Sequence, residues 1–114
     1  MTRVEIASMI EEMATALGCD YDYYHYQSNE VVKAPYLLFD YPDRDDVTAD
    51  NANYAHKETL NIEYDSKFRN FAAERKIEEI LTRHGFTYSV DEQQLDDQGV
   101  YEIMYSMQVF ISEG

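Results

Sequence analysis

Leu60, Asn61, Ile62, Glu63 and Tyr64 constrain this chain more than any other stretch, because apolar and polar side chains alternate there with a period of two. A strand with one buried and one wet face follows. Beyond Asp65 and Ser66, the segment 68–84 carries Ala73, Ile77, Ile80, Leu81 and His84 at helical spacing, and Gly85 stands where a left-handed C-terminal cap belongs. Phe86, Tyr88 and Val90 then alternate again. The predicted unit is strand, helix, strand, with the helix stripe laid on the apolar face of a sheet.

The rest of the chain adds to both layers. Thr2 and Glu5 form a capping box for a first helix whose stripe is Ile6, Met9, Ile10, Met13, Ala16 and Leu17, spacing that suits core packing. After Gly18, the tyrosine-rich residues 20–27 read as a strand, and Pro35 leads into another at Tyr36-Leu37-Leu38-Phe39-Asp40-Tyr41. Apolar residues fall on both faces of that strand, which suggests cover on both sides, one of them by a neighbouring subunit. The third strand begins as early as Tyr54 and runs to Asp65, with its polar first half projecting as one arm of a hairpin. Residues 93–99 read as a polar turn, and from Tyr101 to Ile111 comes the longest alternation in the chain. The expected fold is a single α+β domain over 1–114, in the order α-β-β-β-α-β-β. It has about five strands in a mixed or antiparallel sheet, with two helices on one face.

A formal charge of −14 excludes binding to nucleic acid by phosphate neutralisation, which needs a lysine and arginine surface. Acidity serves solubility, or it repels or imitates DNA. Cys19 is the only cysteine, so no internal disulfide is possible and a reducing compartment is expected. No apolar run suits a signal peptide or a membrane span, so the expectation is a soluble protein without a membrane partner.

Catalytic patterns are missing from the sequence. Four scattered glycines make no phosphate loop, and no nucleophile elbow or zinc spacing occurs. Ser66 reads as a helix cap, and His25, His56 and His84 as structural histidines. The acidic loop 42–53 carries Asp43, Asp45, Asp46 and Asp50, but a calcium loop counted from Asp43 would need glycine and glutamate where Thr48 and Tyr54 stand. An enzyme, a cofactor and a metal are therefore not expected. Phe68, Phe71 and Ala72 point nearly opposite to the second helix's stripe. Either the first turn is not helical and the rings fold onto the core, or they are presented to a partner.

The chain resembles a family of small tail-component proteins from long-tailed phages and prophages of Gram-positive bacteria. The likeness covers about 34–109 and rests on the order and spacing of several stations. These are Ala34-Pro35-Tyr36-Leu37-Leu38, the loop ending in Ala49-Asp50-Asn51, Tyr54, and Leu60-Asn61-Ile62-Glu63-Tyr64. Ile77-Glu78-Glu79-Ile80-Leu81, His84-Gly85-Phe86-Thr87-Tyr88 and Val100-Tyr101-Glu102-Ile103-Met104-Tyr105 follow. Where the family carries a Tyr-Thr-Asp-Lys-Lys-like turn, Tyr64-Asp65-Ser66-Lys67-Phe68 stands here.

The resemblance implies a virion structural role at the neck or head-proximal tail end, similar to the tail terminators. Those are α+β subunits whose homohexameric ring caps the tail tube and docks to the head connector. Expected partners are further copies of this chain, the tail tube protein and the head–tail connector protein, with DNA passing unbound. Asp43, Asp45, Asp46 and Asp50 are assigned to the lumen or a docking face, where carboxylates repel phosphates over a Debye length of ~8 Å. Phe68, Phe71, Tyr36, Leu38 and Tyr41 are assigned to contacts between subunits or with the tube. A head–tail adaptor or head-completion protein is the alternative within this class. An acidic DNA mimic that occupies a basic groove on a host protein is the alternative outside it. Neutralising Asp43, Asp45, Asp46 and Asp50 together should leave the melting temperature unchanged while altering assembly or DNA ejection; unchanged infectivity would count against the loop assignment.

Overall fold

The computed structural model describes residues 1–23, 34–42, 56–95 and 99–112. Their order is α1 (Arg3–Leu17), β1 (Asp20–Tyr23), β2 (Tyr36–Asp40), β3 (His56–Ser66), α2 (Phe71–Arg83), β4 (Ser89–Leu95) and β5 (Val100–Ile111). The strands form one sheet in the order β1-β2-β3-β5-β4. β1 runs parallel to β2, and the other neighbours are antiparallel. This is the α+β fold in the order expected from the sequence.

Local chemistry sets the ends of α1. Glu5 N–H donates to Thr2 Oγ1 at 3.1 Å and Thr2 N–H donates to Glu5 Oε1 at 3.0 Å, so the capping box satisfies two first-turn donors. The backbone hydrogen bond from Thr2 also holds the Glu5 carboxyl below its ordinary value. Gly18 closes the helix at φ 65, a conformation that costs glycine little, and Cys19 N–H returns to the Ala14 carbonyl at 3.0 Å.

One face of the sheet makes the core. Leu37 and Phe39 of β2, Leu60, Ile62 and Tyr64 of β3, and Ile103, Tyr105, Met107, Val109 and Ile111 of β5 are all buried. Ile6, Met9, Ile10 and Met13 of α1 and Ala73, Ile77, Ile80 and Leu81 of α2 join them in one cluster. The helices run antiparallel. Glu12 meets Arg83 and His84, while Lys76 Nζ donates to the Ala16 carbonyl at 3.3 Å. The inward position Glu58, on the polar half of β3, is buried and closed by an ion pair with Arg3 of α1 at 2.5 Å.

Three boundaries differ from the sequence expectation. α2 starts at Phe71, not 68, because β3 stays paired through Ser66 opposite Tyr101 and because Asn70 is the better-placed cap. Its side chain accepts from Ala73 N–H at 3.1 Å. Ser66 does not cap the helix; its hydroxyl donates to the Phe68 carbonyl at 2.7 Å. β4 starts at Ser89, so Phe86 and Tyr88 lie before the strand, partly buried against the core. Gln93, Gln94 and Leu95 belong to β4, opposite Glu102, Tyr101 and Val100, and the connection shrinks to 96–99. An exposed edge strand tolerates polar residues, so its sequence looks like that of a turn.

Other expectations lie outside the described residues: the strand character of 24–27, the acidic loop 43–53 with its projecting tip, and Tyr54. Ile77→Ala, which opens a void between α2 and the sheet, should lower stability by ~2–5 kcal/mol in urea unfolding, whereas Val4→Ala on the exposed side of α1 should change it by about 0.5 kcal/mol or less.

Candidate functional site

Because β-strand side chains alternate, the register that buries one face also fixes what the other displays. Opposite the helices, Tyr36, Asp65, Glu102 and Gln93 lie in one row across β2, β3, β5 and β4. Leu38, Glu63, Met104 and Asp91 form the next row, and Asp40, Asn61, Ser106 and Ser89 the third. Asp20 and Asp22 of β1 extend the face beside Tyr36 and Leu38. Carboxylates dominate it. Lys57 is the only lysine or arginine on the described strands. Ser106 Oγ donates to Asn61 Oδ1 at 2.7 Å and Gln108 Nε2 to Thr59 Oγ1 at 2.9 Å, so the lower half of this face is stitched by neutral side chains.

The densest part of the face is Glu63, Asp65 and Glu102. One carboxylate oxygen from each lies within 4.8 Å of the others. Two unit charges at that distance repel by about 3 kcal/mol at an effective dielectric near 20. Asp65 is only 3 % exposed, and its Oδ1 is buried without a hydrogen-bond partner. Burial, reinforced by Asp65 and Glu102, pushes the Glu63 carboxyl up to about 9. Burial also raises Glu102, with Asp65 and Asp91 adding to the shift. The Tyr36 phenol rises too, through burial and then its hydrogen bond and proximity to Asp65. At neutral pH the cluster keeps a proton instead of three full charges.

The residues expected at contacts divide. Tyr36 and Leu38 lie on the open face, half-buried among the carboxylates. Phe68 and Phe71 are 67 % and 63 % exposed, so the rings do not fold onto the core even though Phe68 precedes the helix. Arg69 stacks its guanidinium 4.4 Å from the centre of the Phe71 ring while pairing with Glu74 at 2.9 Å and Glu92 at 2.5 Å. Tyr41 differs. It is 7 % exposed, with Arg3 4.4 Å over its ring and Tyr23 alongside, so its surface is used inside the subunit. Asp43, Asp45, Asp46 and Asp50 lie outside the described residues.

Sequence reasoning passed over Glu63, Asp65 and Glu102. The alternation around Leu60 already turned Glu63 and Asp65 outward together, but the pairing of Asp65 with Glu102 depends on a register no local signal gives. His84, expected at the helix terminus, is the C-cap residue, and its Nε2 lies 3.3 Å from Glu12. Burial and the neighbouring Asp20 raise the Cys19 thiol, which keeps it protonated and unreactive near neutral pH.

No protein-family model and no curated protein matches the chain.

The raised Glu63 carboxyl has a signed consequence for stability. The unfolded chain releases this proton near the ordinary value of 4.5, and the folded protein holds it to about 9. Within that window the folded state binds more protons, so the stabilisation present below 4.5 is lost as pH rises toward 9. In metal-free buffer, unfolding free energy should fall with a slope of at most ~1.4 kcal/mol per pH unit, and Glu63→Gln should flatten it. An unchanged slope in the variant would refute the assignment.

Proposed function

We propose that the protein is a structural component of a long-tailed phage virion, placed at the neck or head-proximal end of the tail. Its role there is that of a ring-forming tail terminator, which caps the tail tube and docks to the head connector. The observation that carries this reading is the sheet's second face, where no element among the described residues covers Tyr36, Leu38, Met104 and Phe110. Phe110 is 61 % exposed, and Phe68 and Phe71 are exposed at the crossing from β3 to α2. A subunit of this size gains by burying such residues against another copy or the tube. The α+β order is also of the kind implied by the resemblance of 34–109 to phage tail components. In a ring, the remaining carboxylates would repel passing DNA.

The carboxylate rows of the same face also support a second reading, an acidic mimic of DNA that binds a basic groove on a host protein. Head–tail adaptor and head-completion roles share the structural class of the first reading.

Light scattering behind size exclusion, across a concentration series at physiological salt, separates the classes. A species near six times the 13.4 kDa chain is expected for the ring. A monomer at every concentration that also fails to bind purified tail tubes would overturn it, and salt-sensitive competition with DNA for a basic protein would favour the mimic. Phe68→Ser combined with Phe71→Ser should leave the melting temperature within a few degrees of the parent while weakening ring formation or tube binding at least tenfold. Wild-type assembly in that variant would remove the two rings from the interface.

A further inference from the structure

Glu63, Asp65 and Glu102 converge from two paired strands, with Asp65 directly opposite Glu102 and Glu63 two residues along β3 on the same face. One oxygen from each lies within 4.8 Å of the other two. At the full span three oxygens stand slightly farther than a calcium–oxygen bond of roughly 2.4 Å from a common centre, a difference that small side-chain rotations close without backbone movement. The buried Asp65 supplies a second observation: its Oδ1 has no hydrogen-bond partner while its carboxylate faces the cluster. An unpartnered carboxylate oxygen removed from water calls for a counter-charge.

We propose that Glu63, Asp65 and Glu102 form a binding site for a divalent cation, and that Ca²⁺ is the ion it takes best. All three donors are hard oxygens, with no imidazole or thiolate in the set, which disfavours zinc and copper. Mg²⁺ demands near-ideal octahedral geometry at about 2.1 Å, tighter than this cluster provides, whereas Ca²⁺ accepts irregular sets completed by water. Tyr36, across β2 from Asp65, stands at the rim and Asp91 lies one row away on β4. The site stands on β3 and β5 alone. Its failure leaves the virion reading untouched, and the converse also holds.

The full chain should be melted in CaCl₂, MgCl₂ and NaCl at matched ionic strength, with calcium at roughly 1 mM. Ca²⁺ is expected to raise Tm by roughly 5 °C over NaCl and Mg²⁺ by less. Asp65→Asn and Glu102→Gln should each abolish the calcium increment, while Asp22→Asn, on the same face outside the cluster, should retain it. Tb³⁺ provides a readout independent of stability. Its tyrosine-sensitised luminescence should be displaced by Ca²⁺ and should drop by at least half in Tyr36→Phe. A calcium increment no larger than that of NaCl, or one that survives in Asp65→Asn and Glu102→Gln, would overturn the site and leave only diffuse counter-ion binding to an acidic surface.

Discussion

The in-register pairing of β3 with β5, from His56 opposite Ile111 to Ser66 opposite Tyr101, is the constraint on which the rest depends. A slip of β3 by one residue against β5 would turn Leu60, Ile62 and Tyr64 out to solvent and drive Glu63 and Asp65 into the core. The apolar face therefore specifies the acidic one. Because these strands sit at the centre of the sheet, their register also sets where β2 and β4 add and where each helix finds its groove.

The helices are held on that face by apolar packing, with a few polar contacts fixing their position. Arg3 reaches the buried Glu58, and the Tyr105 hydroxyl donates to Glu78 of α2 at 2.9 Å, so each helix is tied by polar contact to the sheet beneath it. Burial and the neighbouring Glu78 hold the Tyr105 phenol well above its ordinary value, which keeps it a donor at physiological pH. Glu12, shared by Arg83 and His84, ties the helices to each other. The partly buried contacts, Arg3 with Glu58 and Tyr105 with Glu78, lose less to water and salt than exposed surface pairs do.

The crossing from β3 to α2 shows how the fold makes display surfaces. Ser66 is still paired to β5, Asn70 already caps the helix, and Arg69 between them binds Glu74 and Glu92. With the core-facing positions filled, Phe68 and Phe71 are left outside. One-sided helix cover has the same effect on a larger scale: it dries one sheet face and leaves the other to offer apolar side chains among carboxylates.

The sequence by itself determined the element types, their order and most inward residues, though Ala14 and not Ala16 faces the core and Val90 is exposed, because period-two and helical alternation, the Thr2 and Glu5 capping box and Gly18 are short-range signals. It also turned Glu63 and Asp65 outward and set Phe68 and Phe71 against the stripe of α2. Boundaries were legible only where a local signal was stronger than the tertiary one. Helical periodicity extends α2 back to 68 because it does not reveal that β5 keeps Ser66 in the sheet, and the polar residues of β4 gain order only from pairing with β5. Tertiary structure alone decided that Asp65 meets Glu102 and that Tyr41 is enclosed by Arg3. Both depend on contacts between residues far apart in the chain, set by the burial of one common apolar face.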